Sequence, residues 1–396
     1  MNLIFPESFP LLGATLADSA GGLPAPLWFI QFFKIVGFTL HVLMMNLWFV
    51  GLPAALAMFI VGGTSGRAWS RRFFQQLPTI VAFGINFGIV PLLFLQTAYY
   101  KAFYTGTVLM AWPWLLVLLW VMISYYSVYV AAFAAKGEPK PLKSQLIVFF
   151  GALASLFFII AGLTMSTGIT FMASPQSWDA VWESTQVGGA TLGTALPIHN
   201  YVVVYRILTM LGIAFVTTGV WAFFDGAWLG GAAGCCTDNA CAVNKPSCCW
   251  LRGFSTVMAI IGAAVATYAY GKYLGLVSDP IIAAINSPGN AIVTSISKYV
   301  FCIPAGLLIL ICLVPSGCRK ALALLAFVAQ LGAVGVWATV RQWIQHLEIT
   351  PVMDAAKMTQ SVQWSPIIAF LILFVFGLLV CGWIVSRVVV GCKTAE

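Results

Sequence analysis

Residues 27–61 read LWFIQFFKIVGFTLHVLMMNLWFVGLPAALAMFIV, an apolar run whose only ionisable side chains are Lys34 and His41. A helix needs about 20 mostly apolar residues to cross the hydrocarbon core of a bilayer, and this run exceeds that length. Eight more runs qualify, at roughly 79–100, 110–135, 145–167, 201–233, 254–276, 297–315, 320–344 and 366–390. Lys and Arg number 19 and Asp and Glu 11 in 396 residues, and almost all of them fall between these runs. No short alternating pattern recurs, as a membrane barrel would require. The sequence therefore predicts an all-α, polytopic transmembrane helical bundle of about nine spans, forming one integral-membrane domain over 1–396.

Loop charges set the expected orientation. Arg67, Arg71 and Arg72 follow the first run, and Lys136, Lys140 and Lys143 the third. Lys245 and Arg252 follow the fifth, Arg319 and Lys320 the seventh, and Arg387 and Lys393 the ninth. The positive-inside rule places these loops in the cytoplasm, so the chain is expected to start outside and end inside. Glu7, Asp18, Asp179, Glu183, Asp279, Glu348 and Asp354 mark the opposite side. No basic residue precedes Lys34 and the first run is too long for a signal core, so no cleaved signal peptide is expected. The formal charge of +8 reflects topology and attraction to anionic lipid, not nucleic-acid binding. The connections 168–200 and 345–365 are too short for a soluble domain. With Trp178, Trp182 and several glycines, 168–200 is expected to cap the outer surface.

Polar groups at membrane depth are costly, so each calls for a partner. His41 lies mid-way through the first run, where its imidazole either hydrogen-bonds a neighbouring helix or ligates haem or another metal. His199 opens the fifth run, where either water or a metal satisfies it. Arg206 and Met210 come round to nearly the same helical face as His199. An arginine two turns into a span needs an anion, and a haem propionate supplies one. Met210 is either a packing residue or a thioether ligand. It does not oppose His199 on one iron, because eleven residues of helix rise about 16 Å.

The second run places Asn86 and Gln96 on either side of Pro91, which removes a backbone hydrogen bond. This suits a helix bent around a cofactor, or ordinary interhelical bonding at a kink. Trp337 and Trp343 read as interface anchors, and Arg341 either snorkels to headgroups or holds a propionate. His346 follows in the loop as a third candidate ligand. No carboxylate lies in the first four spans. Walker, dinucleotide and hydrolase-elbow motifs are missing, which excludes those enzyme classes.

Cys235, Cys236, Cys241, Cys248 and Cys249 crowd the connection 234–250. On the reducing side, stable disulfides are disfavoured. Thiolates there bind an iron–sulfur cluster or zinc, or stay unmodified or palmitoylated. Their spacing matches no standard ferredoxin or zinc-finger pattern.

These features together resemble subunit I of the cytochrome bd quinol oxidases. That family has nine spans, an outside N-terminus and a haem-ligating histidine in the first span, where His41 stands. His199, Tyr205 and Met210 are similar in spacing to the start of its fifth span. Gly88-Ile89-Val90-Pro91 with Gln96 resembles a stretch of its second span, and Arg341-Gln342 with Trp343 the end of its eighth. The paired glutamates of the family's third span, the glutamate of its eighth and its long quinol-binding loop are lacking here. The resemblance implies a b-type haem electron-transfer subunit in a bacterial cytoplasmic membrane, exchanging electrons between quinone and a partner such as a c-type cytochrome. Terminal oxygen reduction is not expected. The rival expectation is a haem-free transporter, channel or structural anchor, since broken helices also line transport sites.

Overall fold

The computed structural model describes residues 22–198, 201–229, 248–314 and 318–394. The first run forms one long rod with an internal irregularity: α1 (Leu27–Asn46), a wide π turn (Leu47–Gly51) and α2 (Leu52–Val61). Pro53 has no N–H to donate, so the regular ladder cannot continue through it, and the π turn absorbs the mismatch. α3 (Gly63–Ala98) carries Pro78 and Pro91 within a single helix. The short α4 (Tyr100–Leu109) leads to α5 (Ala111–Ala134) and α6 (Pro141–Met172).

The 168–200 connection folds as the eight-residue α7 (Trp178–Thr185) and a small antiparallel hairpin, β1 (Gln186–Val187) with β2 (Ala190–Thr191). Trp178 and Trp182 pack there over Leu109, Met110 and Phe171. The expected cap is therefore part helix and part hairpin.

α8 (Tyr201–Phe224) runs into a second π turn (Asp225–Leu229), and α9 (Cys248–Leu274) follows. α10 (Asp279–Ile285) precedes a span that is broken: α11 (Ala291–Tyr299) and α12 (Cys302–Leu313) meet at 43°. α13 (Arg319–Ile349) and α14 (Trp364–Thr394) complete the chain. Among the described residues seven helices are long and apolar enough to cross a membrane, and eight if the bent pair counts as one span. The protein is a polytopic membrane protein. α14 contributes a further, shorter apolar stretch, Trp364–Val380.

Two corrections to the boundaries matter for function. α13 continues past residue 344 to Ile349, so His346 and Glu348 lie on a helix, not in a loop. α6 also extends beyond the expected 145–167 at both ends.

α8 is the central element, packed against α1, α6, α9, α12 and α13. Its crossing with α9 is as close as backbones allow. A Cβ on Gly212 would meet the Ala266 nitrogen at 2.3 Å, and one on Gly262 the Val216 nitrogen at 2.6 Å. Small residues at such crossings substitute backbone contact for the hydrophobic drive that lipid removes. Near the start of α14, Phe370 and Phe374 meet Phe33 edge-to-face, and Phe370 meets Phe29 and Phe94 in the same way. The backbone of Leu23 pairs with Thr359 and Ser361, tying the entry of α1 to the entry of α14.

Candidate functional site

A cavity of about 300 Å³ lies between α1, α3, α5, α6 and α13. Its walls are apolar and aromatic: Phe38, Trp48, Phe49, Leu92, Leu95 and Phe158 among them. Ile89 and Leu118 both line it and are 47% and 67% exposed, so it opens sideways between α3 and α5, toward lipid.

His41 borders this space. Its Nδ1 lies 2.7 Å from the Gly84 carbonyl oxygen. A carbonyl can only accept, so the proton sits on Nδ1 and the Nε2 lone pair is left free. The ring makes no second hydrogen bond among the described residues. Two glycines one turn apart on α3 permit this arrangement. A Cβ on Gly84 would meet Trp48 at 2.2 Å, and one on Gly88 would meet His41 Nδ1 at 2.6 Å.

One end of the cavity is cationic. Lys34, two turns before His41 on the same face of α1, is 1% exposed, and its Nζ has no hydrogen-bond partner. It lies 4.5 Å from the centroid of the Tyr99 ring, and the Arg341 guanidinium lies 4.4 Å from that of Phe38. Gln342 and Gln345 also line this end, with the Oε1 of the first and the Nε2 of the second buried and unpartnered. Among the described residues no Asp or Glu lines the cavity. A buried cation without a carboxylate partner is costly in a low-dielectric interior. The donor set therefore suits an amphipathic anion with a large apolar body.

Arg206, Met210 and Arg341 meet at an adjacent void of about 10 Å³, together with Tyr270, Tyr273 and Trp337. Met210 borders both spaces. Glu348 is the carboxylate that acts electrostatically on both arginines. Of the sequence candidates, His41, Met210, Arg341 and Arg206 thus share one region of the bundle. His346 stands apart: the Tyr99 hydroxyl bonds its Nδ1 at 2.8 Å. His199 lies outside the described residues, as do Cys235, Cys236 and Cys241. Cys248 opens α9. Cys249 is exposed and accepts a hydrogen bond from Arg252 at 3.3 Å. Among the described residues no three His, Cys, Asp or Glu side chains are grouped to hold a metal ion.

Asn86 and Gln96 do not line the cavity. Asn86 is exposed and bonds the Ala82 carbonyl of its own helix, while Gln96 bonds the Tyr104 hydroxyl. Lys34 and Gln345 are lining residues that the sequence reading did not assign to the site, and Gln342 entered it only through the resemblance. The signal was present as polar side chains, Lys34 two turns from His41, Gln345 one turn from Arg341 and Gln342 beside it.

Two further polar sites brace the bundle. At the end opposite His346, Asp225 takes a bidentate pair from Arg72 at 2.6 and 2.9 Å and a bond from Gln76 at 2.7 Å. Mid-bundle, Thr217 donates to the Ile213 carbonyl and accepts from both Asn46 and Gln330 at 2.8 Å. No protein-family model and no curated protein matches this chain.

Proposed function

We propose that the chain is a membrane-embedded electron-transfer subunit that carries b-type haem and exchanges electrons between the quinone pool and a cytochrome partner. The observation that carries this reading is the pairing, around one apolar cavity, of an imidazole with a free Nε2 and a buried cationic end. The residues present fit the group: His41 would take the iron, and Lys34 and Arg341 the propionates, with Gln342 and Gln345 beside them. Haem, when bound, supplies a one-electron redox couple. The chain's own part is to hold the imidazole in one tautomer, to exclude water with aromatic walls, and to neutralise two carboxylates with two cations. A volume of about 300 Å³ is at the small end for ligand pockets, and the side opening accommodates a larger planar body. That same opening gives a lipid-soluble quinone a route from the bilayer. His199, Arg206 and Met210 are proposed to serve a second haem near the start of α8, and the cysteine connection 234–250 to bind zinc or an iron–sulfur cluster.

The test is a reduced-minus-oxidised spectrum with a pyridine haemochrome assay on the purified protein. A b-type signal that diminishes in His41→Ala supports the reading, and a stable, colourless wild-type protein overturns it. The sideways opening also favours a second reading, a haem-free carrier of an anionic amphiphile. In that case organic extraction of the colourless protein yields a long-chain acid that Lys34→Met no longer retains.

A further inference from the structure

A line of polar side chains leads from the cavity to the surface at the Asp354 end of the bundle. Tyr99 is fully buried at the break between α3 and α4. Its oxygen lies 2.5 Å from Gln31 Nε2 and 2.8 Å from His346 Nδ1. The amide nitrogen can only donate, so the phenol oxygen accepts from Gln31, and it donates to His346 Nδ1 in the tautomer whose Nδ1 is unprotonated. The remaining proton of His346 is then on Nε2, which leaves that ring no lone pair for a metal. His346 is half-buried, and beyond it Asp354 pairs with Lys357 at 3.2 Å at the surface. On the inner side of Tyr99 stands Lys34, whose Nζ lies over the phenol ring with no hydrogen-bond partner while its side chain borders the cavity.

We propose that Lys34, Tyr99 and His346 form a proton relay between the cavity and the water at the Asp354 end. The Lys34 ammonium turns from the ring face to the phenol oxygen and gives it one proton. The proton already on that oxygen moves to His346 Nδ1, and the imidazolium releases its Nε2 proton to water. Lys34 is left as a neutral amine, with Arg341 the remaining cation toward a bound carboxylate, and one proton has left the cavity; in reverse, one enters. Arg341 acts on Lys34 from the cavity side, with Arg206 and Glu348 behind it, and Asp354 and Lys357 face His346. The like charge of Arg341 drives the proton outward, and the Asp354 carboxylate draws it. A change of charge inside an apolar cavity is expensive, and a proton moving along this line offsets it. That purpose rests on the redox reading; the relay itself rests only on the side chains named.

The experiment follows hydrogen–deuterium exchange at Lys34 Nζ in protein labelled with nitrogen-15 lysine, held in lipid nanodiscs and transferred to D2O. Lys34→Arg identifies the resonance. Exchange is expected to slow at least tenfold in Tyr99→Phe and to stay at the wild-type rate in Tyr104→Phe, whose hydroxyl bonds Gln96. His346→Gln keeps an acceptor for the Tyr99 hydroxyl but cannot pass a proton on, so it must slow exchange too. It also serves if Tyr99→Phe does not fold. Wild-type exchange rates in either variant would overturn the relay. Absence of a haem spectrum from the same samples would sink the redox reading and leave the exchange result standing.

Discussion

His41 and Gly84 are joined across two spans by a 2.7 Å hydrogen bond from the imidazole Nδ1–H to a main-chain carbonyl. The bond fixes both the tautomer and the ring plane, and it needs a glycine strip on α3 to form. Gly88→Ala would place a methyl 2.6 Å from His41 Nδ1, against a rigid ring, not the tip of a flexible chain. Overpacking of this kind costs about 1–3 kcal/mol. Thermal unfolding in detergent should show the loss, while Gly271→Ala, with open space at its Cβ, should not.

Lys34→Met should separate stability from binding. Replacing a buried, unpartnered ammonium by an apolar chain of similar length is expected to stabilise the ligand-free protein by about 1–3 kcal/mol. Retention of an anionic ligand should fall about tenfold, equivalent to about 1.4 kcal/mol. A variant that loses stability in the ligand-free state would contradict this assignment.

Asp225 offers a second contrast. Its carboxylate is buried, whereas Arg72 is about a third exposed, so screening discounts the pair. Asp225→Ala is expected to cost about 1–3 kcal/mol, because it removes the carboxylate that accepts from both Arg72 and Gln76. Arg72→Lys should cost less, since an ammonium keeps the charge but lacks the two-pronged geometry. Denaturant or thermal unfolding of the two variants beside the wild type checks the order.

Thr217 and Thr218 are adjacent and both buried, yet their substitutions should differ in sign. Thr217→Val removes the shared acceptor of Asn46 and Gln330 and should cost about 1–3 kcal/mol. Thr218→Val removes a hydroxyl that has no partner and should be neutral or stabilising. Equal losses would show that the mid-bundle network is held by packing alone.

The all-α, membrane-spanning class was legible from hydropathy, because lipid solvent forces long apolar runs wherever the chain crosses, whereas nine spans were expected and seven or eight helices among the described residues are long and apolar enough. What hydropathy could not show is where runs end or break. α13 carries His346 and Glu348 past the apolar limit; Tyr99 hydrogen-bonds the first, and the second lies within the electrostatic reach of Arg206 and Arg341. The 43° bend between α11 and α12 falls at the start of the 297–315 run, between Lys298 and Pro304, which hydropathy averaged into one span. At the site, His41, Arg206, Met210 and Arg341 were readable one by one as expensive polar or ligating side chains. Lys34 was passed over because a single lysine near a run's start looks like a snorkelling residue. Only the packing of α1 against α3 and α13 shows that its amine is enclosed.

The glycine contacts of α8 with α9 have a mechanical consequence. Where two backbones touch, there are no side-chain layers to slide or rearrange, so that pair behaves as one stiff post. Any widening that lets a bulky guest in must therefore come from the opposite wall, through α3 and α5 parting beside Ile89 and Leu118. The post keeps Arg206 and Met210 stationary while the doorway breathes.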